Sequence, residues 1–304
     1  MLPSGEIVEV GGNVKHSQVG YNLVPLFTGA EGTLGVIVEA TLKLEPLPEH
    51  RAYAIAKFSN IDRAILACNR IITSGLAPET LMVEDSTRFY NTISPDTQDS
   101  VLRVKSSVRN SEAVVIVSFS GSSQDVEFFL ERADTMLNAE EGVLIPHDLA
   151  DAWWYGKTKR ITLMSEAQRK ELGTNRYGIV DFGLQRAAIP TVYVELIDLY
   201  AKHALLPQGV RFYLRQNGDC PASVIVLLDE SNEEQKSKYR AWIKEASQLA
   251  LRYGGTMSTV TATGLRLAGL VEWELKEGIS LVRTIKRIID PNEIMNPGKK
   301  FPLN

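Results

Sequence analysis

Three glycines near the start of the chain, Gly29, Gly32 and Gly35, are spaced three residues apart in the stretch TGAEGTLG. Glycine has no Cβ, so such a stretch lets backbone N–H groups come close to a phosphate or a flat heteroaromatic ring. The spacing is not the G-x-G-x-x-G of a Rossmann turn, and no Lys-Ser/Thr follows as in a P-loop. Taken alone, the glycines indicate either a tight turn before a strand or a ligand-binding loop.

Histidine and cysteine, which often carry chemistry, form no recognisable site. The sequence has four histidines and two cysteines, without metal-ligand spacing or a C-x-x-C pair. We therefore expect no metal site, no disulfide framework and a reducing compartment. The residues concerned are His16, His50, His147, His203, Cys68 and Cys220.

Composition bounds the class of protein. The 304 residues carry a net charge of −4, and 44% of them are hydrophobic, which is ordinary for a globular protein. This length suggests about two domains. The acidic balance disfavours nucleic-acid binding. No apolar run approaches the ~18 residues of a membrane span, and the first residues lack the regions of a signal peptide. These features predict a cytoplasmic protein.

The glycine stretch and the scattered polar residues are set among strand and helix patterns. Residues 5–12 and 35–44 alternate apolar and polar side chains, as β structure does, and two prolines then suggest a domain boundary near residue 48. Beyond it, strand and helix patterns take turns, which predicts an α+β domain with helices covering an antiparallel sheet. Residues 148–190 are less regular. Predicted strands fall at 51–58, 112–121, 210–214 and 222–230, and predicted helices at 60–75, 122–142, 191–206, 231–255 and 270–289.

Two segments resemble a known family. GYNLVPLFTGAEGTLGVIVEATLKLEPLP is similar to the segment G-Y-D-L-x-x-L-F-x-G-(S/A)-E-G-T-L-G of FAD-linked oxidases with the PCMH-type flavin domain. That group includes glycolate oxidase D-type subunits, D-lactate and D-2-hydroxyglutarate dehydrogenases, and alkylglycerone-phosphate synthases. Far along the chain, IIDPNEIMNPGKKF resembles the family's D-P-x-x-I-x-N-P-G-K signature. The order and separation of the two segments fit the family.

The resemblance implies a flavoprotein that binds FAD. It also implies part of a PCMH-type FAD-binding domain in residues 1–48, a cap domain in residues 49–285, and a C-terminal return to the flavin domain in residues 286–304. Asn296 would approach the flavin or the substrate, with a loop-end cap before Pro297 as an equal alternative. The residues that would line the FAD are Gly29, Ala30, Glu31, Gly32, Thr33, Leu34, Gly35 and Val36.

The family's first third is a smaller flavin subdomain with a pyrophosphate-binding loop, and only about 25 residues precede the glycine stretch here. We therefore expect that this subdomain is missing from the chain, and that a missing N-terminal segment or a partner flavoprotein chain supplies it. The chain alone should hold FAD weakly, so a purified sample should be nearly colourless. A homodimer is a further expected assembly.

The cap differs from the family at its catalytic positions. Hydroxy-acid dehydrogenases of the group carry H-x-G-D-G-N-x-H, whose histidines bind a divalent metal, where this chain has RQNGDCPAS at 215–223. They also carry S-G-E-H-G-I-G, and the Glu and His positions here hold Val260 and Thr261. Neither side chain can replace a carboxylate or an imidazole ligand, so we expect no metal at this place.

Basic side chains of the cap are candidates to bind an anionic substrate. Family members place an arginine three residues after a tryptophan in the cap; here Lys157 follows Trp154 at that spacing, and Arg160 comes next on the same face. An ammonium can pair with a carboxylate but lacks the bidentate fork of arginine. Arg215, with Tyr213, is a further candidate for the same pocket. A solvated basic helix end is the alternative for Lys157 and Arg160.

The resemblance thus implies an FAD-dependent oxidoreductase, like glycolate oxidase or D-lactate dehydrogenase, that oxidises a small hydroxy acid or related alcohol. Two alternatives stay open because of the changed cap residues. One is a non-catalytic subunit of a multi-chain flavoenzyme, and the other is a flavin enzyme similar to alkylglycerone-phosphate synthase. The expected location is cytoplasmic, or peripheral to the membrane through an electron-transfer partner.

Overall fold

The computed structural model describes residues 1–12, 14, 19–92, 112–159, 176–229 and 231–302. Contacts divide the chain into two compact units. Unit 1 comprises Met1–Pro46 and Val260–Asn304, and unit 2 comprises Leu47–Thr259. The assignment of residues 1–48 and 286–304 to a flavin domain and of residues 49–285 to a cap stays a prediction.

Unit 2 is built on one antiparallel sheet. Its strands among the described residues are β1 (His50–Phe58), β2 (Thr80–Asp85), β3 (Ala113–Gly121), β4 (Val143–Leu144), β5 (Arg176–Gln185), β6 (Pro207–Tyr213) and β7 (Asp219–Leu228). They lie in the order β4-β1-β3-β2-β6-β7-β5, and each described pairing is antiparallel. Valine, isoleucine and phenylalanine dominate β3, as expected for a strand buried on both faces of a sheet.

Helices cover this sheet, and three of them begin at the side chains that their sequences predict. Asn60, Ser122 and Asn232 each accept a hydrogen bond from a backbone N–H in the first turn, which satisfies a donor that the helix leaves unpaired. The helices of unit 2 are α2 (Ile61–Thr73), α3 (Ser86–Thr92), α4 (Ser123–Ala139), α5 (His147–Lys159), α6 (Ile189–His203) and α7 (Glu233–Arg252). The predicted α+β fold, with an antiparallel sheet covered by helices, is confirmed.

One face of the sheet packs against α3 and α5 around a buried tryptophan. Trp153 of α5 is fully buried and stacks near Phe89 of α3. Beneath them lie alternate residues of the central strands, such as Ile55 and Ile116. This face positions the polar cluster described below.

Unit 1 has little regular structure. Its helices among the described residues are α1 (Val24–Phe27), α8 (Val271–Leu275) and α9 (Gly278–Ile289). The single helix predicted over 270–289 is therefore wrong: α8 ends where Lys276 takes a left-handed conformation at φ 49°. The predicted strand at 35–44 joins no ladder among the described residues, and its apolar side chains are exposed.

Two other boundaries differ from the sequence patterns. Strand β5 lies in a stretch that the sequence left irregular, because Gly178, Gly183 and the buried Asp181 interrupt its apolar alternation. Helix α6 begins at Ile189, with Pro190 inside its first turn, where the missing N–H costs nothing. In the described part of the chain, no helix is both long and apolar enough to cross a membrane.

Candidate functional site

The glycine stretch and the C-terminal segment that resemble the family lie against each other in unit 1. Asn296 donates from its side-chain amide to the carbonyl of Glu31 at 2.6 Å. Lys300 donates from Nζ to the carbonyl of Gly29 at 2.9 Å. The two segments are 265 residues apart in sequence, and these contacts make them one structural element.

Gly32 is required by this arrangement. Its φ of 69° is left-handed, and a Cβ built on it would lie 2.8 Å from Nδ2 of Asn296. Any side chain here would be strained and would displace the amide that holds the carbonyl of Glu31. Gly29 has a similar φ of 77°, but a Cβ there would meet nothing within 4 Å.

A buried ion pair also connects the glycine stretch to the C-terminal segment. The Lys286 ammonium is 1% exposed and donates to the carbonyls of Thr33 at 2.7 Å and Met295 at 2.8 Å, and to the Asp290 carboxylate. Asp290 in turn accepts from the backbone N–H of Ile294 at 3.1 Å and of Met295 at 2.9 Å. Burial raises the pKa of Asp290, but the ammonium and the two amides outweigh it and hold that pKa below its usual value.

The Glu31 carboxylate has a similar fastening role. It accepts from the backbone N–H of Thr263 at 3.0 Å and of Gly264 at 2.8 Å, and Lys300 lies 3.3 Å away. Burial raises its pKa, but the two amides and the ammonium outweigh burial and leave the pKa lowered. Glu31 therefore holds the glycine stretch with an ionised side chain whose oxygens are already engaged.

Backbone donors of the glycine stretch are left without acceptors. Among the described residues, the N–H groups of Glu31, Gly32, Leu34 and Gly35 make no hydrogen bond. Leu34 and Gly35 are buried residues, and buried N–H groups are nearly always paired in proteins. The Thr33 hydroxyl is not available in the same way, because it donates to the carbonyl of Ala30 at 2.7 Å.

A row of polar residues crosses the sheet of unit 2. Glu84 of β2 lies opposite Arg211 of β6, Arg211 lies opposite Ser223 of β7, and Ser223 lies opposite Asp181 of β5. Residues directly opposite in a ladder share a face of the sheet, so the four side chains form one row. Ser223 is the last residue of the turn RQNGDCPAS.

The middle of this row is a buried ion pair. Glu84 is fully buried and accepts from the Arg211 guanidinium and, at 3.1 Å, from Nε1 of Trp153. Arg211 also donates to the Tyr213 hydroxyl oxygen at 3.2 Å and to Oγ1 of Thr92 at 3.3 Å. Burial lowers the pKa of Arg211, but the Glu84 carboxylate outweighs it, so the guanidinium stays charged.

The far end of the row is tied to the segment that follows α7. Asp181 accepts from the backbone N–H of Thr259 at 2.7 Å and from its hydroxyl at 2.8 Å. Gly183 forms a β-bridge with Thr256. This segment belongs to GGTMSTVTATG, in which the resemblance expects Val260 and Thr261 at the family's Glu and His positions.

The three residues predicted to hold an anionic substrate have different outcomes. Arg215 follows β6, lies 3.0 Å from Asp219 and is 55% exposed. Lys157 lies on α5, whose backbone is described there but not its side chain, and Arg160 lies outside the described residues. Their roles stay predictions. Trp154 is the tryptophan whose spacing to Lys157 and Arg160 led to their prediction. It stacks on Tyr53 with ring centroids 4.3 Å apart.

In the described ranges, no group of three or more His, Cys, Asp or Glu residues could hold a metal ion. His16 lies outside those ranges. Cys68 and Cys220 are free and buried.

Comparison with known families shows to which family the chain belongs. The family model for FAD linked oxidases, C-terminal domain, matches residues 47–300. The chain belongs to the FAD-linked oxidase family. The predictions of this family and of FAD as its cofactor are confirmed.

Relatives within the family have different names. The chain is 26% identical to glycolate oxidase subunit GlcD of Bacillus subtilis, over 99% of this chain and 62% of the relative. It is 27% identical to the mitochondrial D-lactate dehydrogenase [cytochrome] of Arabidopsis thaliana, over 99% of this chain and 51% of the relative. The chain thus spans between half and two thirds of the length of these relatives.

A solved structure supports the fold of this FAD-linked oxidase chain. p-Cresol methylhydroxylase with substrate bound superposes with a TM-score of 0.70 at 18% identity, over the whole of this chain and 64% of that one. At this identity the likeness shows the fold alone. It confirms the predicted PCMH-type architecture.

The glycine stretch fits the family's cofactor. Unpaired N–H groups on a stretch without Cβ atoms at three positions are what a backbone needs to bind phosphate oxygens or flavin ring atoms. Asn296 donates one of its two amide hydrogens to Glu31 and keeps the other, and its role beside the flavin or the substrate stays a prediction.

Sequence reasoning missed the buried ionic groups. Glu84 stands inside the apolar run LMVED, and Arg211 alternates with apolar residues in VRFYL, so a charge within a buried strand was the available signal. Lys286 falls among the apolar residues of the helical pattern in the same way. The sequence did not say which partners these charges have.

Proposed function

We propose that this chain forms one wall of an FAD site and the substrate-binding cap of a flavoenzyme that oxidises a small hydroxy acid. The observation that carries the proposal is the fastening of the glycine stretch to the C-terminal segment by Asn296, Lys286 and Lys300, which leaves backbone N–H groups unpaired. The names of the relatives, glycolate oxidase subunit and D-lactate dehydrogenase, support the substrate class.

Bound FAD would supply the acceptor for a hydride from the carbon that carries the substrate hydroxyl. The residues of this chain would bind and orient. The N–H groups of residues 31–35 would hold the cofactor, and Lys157, Arg160 and Arg215 would hold the substrate carboxylate. Asn296 would act on the flavin through the carbonyl of Glu31 that it fixes.

We further propose that the other wall of the FAD site comes from a flavin subdomain that pairs with residues 35–46. Ile37, Val38, Leu42 and Leu44 are exposed, and this apolar alternating segment joins no sheet among the described residues. Such a segment is suited to pair with a strand from another segment or chain. The chain alone would then be inactive and would hold little FAD.

The test is reconstitution. The chain would be co-purified with the part of the Bacillus subtilis relative that it does not match, and flavin absorbance would be followed during additions of glycolate and D-lactate. We expect flavin retention by the pair, little by the chain alone, and bleaching by one of the acids. A pair that forms without retaining flavin would contradict the proposal.

A non-catalytic subunit is the second candidate, and a specific observation favours it. By the resemblance, Val260 and Thr261 stand at the Glu and His positions of hydroxy-acid dehydrogenases, and the turn at 215–223 has no histidine. Flavin retention without bleaching by any acid would support this candidate. In either case we propose a cytoplasmic location, with an electron-transfer partner able to bring the protein to a membrane surface.

A further inference from the structure

A cavity of about 320 Å³ opens in unit 2 between the start of β2 and the end of β6. Met82 and Pro78 give it apolar walls, and Tyr213, Arg215 and Gln216 add polar groups. The side-chain amide of Gln216 is held in place by one of its hydrogens, which Nε2 donates to the carbonyl of Leu76 at 2.9 Å. A volume of this size accommodates a small organic molecule.

The Tyr213 hydroxyl has an unused hydrogen. Its oxygen accepts from Nη1 of Arg211 at 3.2 Å. Because the guanidinium only donates, the hydroxyl hydrogen must point elsewhere. Throughout the described ranges it meets no acceptor. Tyr53, on the same face of the sheet, differs in this respect, because its hydroxyl donates to Asp151.

Arg211 is held by its partners so that it can affect a ligand in the cavity only by orienting the Tyr213 hydroxyl. Its guanidinium is paired with the buried Glu84 carboxylate and reaches Oγ1 of Thr92 at 3.3 Å. It also lies 5.8 Å from the ring centroid of Tyr213 and 5.8 Å from that of Trp153. Glu84 neutralises the guanidinium, so this arginine is a poor site for a second anion, but it fixes the direction of the Tyr213 hydroxyl.

The other charges around the cavity are on exposed pairs. Glu79 is bound by Arg51 through both carboxylate oxygens at 2.6 and 2.7 Å. Arg215 lies 3.0 Å from Asp219, and both side chains are more than one third exposed. An exposed pair contributes little and is readily exchanged, so Arg215 can turn to another carboxylate.

We propose that the cavity binds the carboxylate of a small organic acid, with the Tyr213 hydroxyl as hydrogen-bond donor and Arg215 as the countercharge. Glu84 and Arg211 are positioning residues that fix the Tyr213 hydroxyl toward the ligand. The substrate class rests on the function proposed above. The hydrogen-bond geometry rests on the unit 2 contacts alone.

The test uses the chain with ¹³C-labelled tyrosine rings and sodium D-lactate as the probe, followed by NMR. The Tyr213 signal, assigned by its loss in Tyr213→Phe, should shift and saturate. Tyr213→Phe keeps the ring but removes the donor, so binding read from the remaining signals should weaken about tenfold. Tyr53→Phe is the matched control and should leave the affinity unchanged. No saturable shift of Tyr213, or equal weakening by both variants, would overturn the proposal.

The positioning role needs a second readout. Arg211→Lys keeps the charge beside Glu84 but cannot reach Glu84 and Tyr213 together, and Thr92→Val is a milder change for the case that Arg211→Lys does not fold. Either should weaken D-lactate binding, and adding Tyr213→Phe should weaken it no further. Additive losses would overturn the positioning role. Because this binding is measured without flavin, its failure alongside intact flavin bleaching would remove the Tyr213 assignment and leave the proposed function standing.

Discussion

At the scale of single residues, Lys286 connects the two segments of unit 1 that carry the family resemblance. A buried ammonium with three acceptors joins the carbonyl of Thr33 to the turn after α9 through Asp290 and Met295. The Asp290 carboxylate also accepts from the backbone N–H of Ile294 and of Met295, so the ammonium and the two amides share it. The position of the glycine stretch therefore depends on one side chain that touches no proposed ligand.

Lys286→Met should destabilise the chain strongly, because it leaves the Asp290 carboxylate buried without its countercharge. Breaking a buried pair in this way costs about 3–5 kcal/mol. Urea unfolding would measure it. The double variant Lys286→Met with Asp290→Asn removes both charges and should recover part of the loss. A cost below ~1 kcal/mol for the single variant would show that the pair does not fasten the segments.

Gly32→Ala should cost more than Gly29→Ala. Both positions have positive φ, which costs an alanine about 1–2 kcal/mol. Only at position 32 does the added Cβ also meet the Asn296 amide, at 2.8 Å. The difference between the two variants in urea unfolding therefore isolates the Asn296 contact. Equal costs would mean that the amide moves aside without loss.

Single residues also show where prediction from sequence ends. The nearness of the glycine stretch to Asn296 could be expected from the resemblance, because both segments match one family. That the Asn296 amide donates to the carbonyl of Glu31 depends on a distance that no sequence pattern contains. The partners of Lys286 and Glu84 were unpredictable for the same reason.

At the scale of elements, Asp85 links β2, α3 and β6. It accepts from the backbone N–H of Arg88 at 2.7 Å, at the start of α3, and from that of Val210 at 3.0 Å in β6. Burial raises the pKa of Asp85 to about 6, since it outweighs these two amides. The ionised carboxylate is thus costly to the fold although it organises three elements.

Stability should therefore rise as pH falls through this pKa. In the folded chain Asp85 takes up its proton near pH 6, and in the unfolded chain near pH 4, so the folded state binds more protons between these values. The gain from pH 7 to pH 4 is at most about 3 kcal/mol. Urea unfolding of the wild type and Asp85→Asn across this range would measure it as a difference. A pH-independent difference would contradict the pKa shift.

Helices and strands were predictable where apolar residues recur with a single spacing along the sequence. Strands β1 and β3 and helices α2, α4 and α7 follow clean apolar patterns with capping residues, and the sequence located them within a few residues. Strand β5 escaped because Asp181 and two glycines break its alternation, and Asp181 is buried by a tertiary contact with Thr259. The order of strands in the sheet depends on such long-range contacts and was not predictable.

At the scale of the whole molecule, the predicted strand at residues 35–44 is a place where sequence and structure disagree. The alternation predicts a strand, yet the segment joins no ladder in the described part of the chain. A strand needs paired backbone groups as well as apolar side chains. Val36 pairs with Met1, and the residues after Val36 have no such neighbour in the described part of the chain. This is why we assign the segment to an interface with a flavin subdomain.

Ile37→Asp should separate assembly from folding. Ile37 is 62% exposed, so the change should leave the free energy of unfolding within about 0.5 kcal/mol. It should prevent co-purification with the flavin subdomain, because a carboxylate would be buried at the interface. Val194→Asp, at a 59% exposed position on α6, is the control and should assemble normally. Normal assembly of both variants would place the interface elsewhere.

The central claim, that the glycine stretch is a wall of the FAD site, is tested most directly by amide hydrogen exchange. The reconstituted pair would be compared with and without FAD, and peptides covering residues 29–36 would be followed. We predict slower exchange there when FAD is bound, since the N–H groups of Leu34 and Gly35 gain acceptors, and unchanged exchange in α7. Slowing confined to other segments, with residues 29–36 unaffected, would contradict the claim.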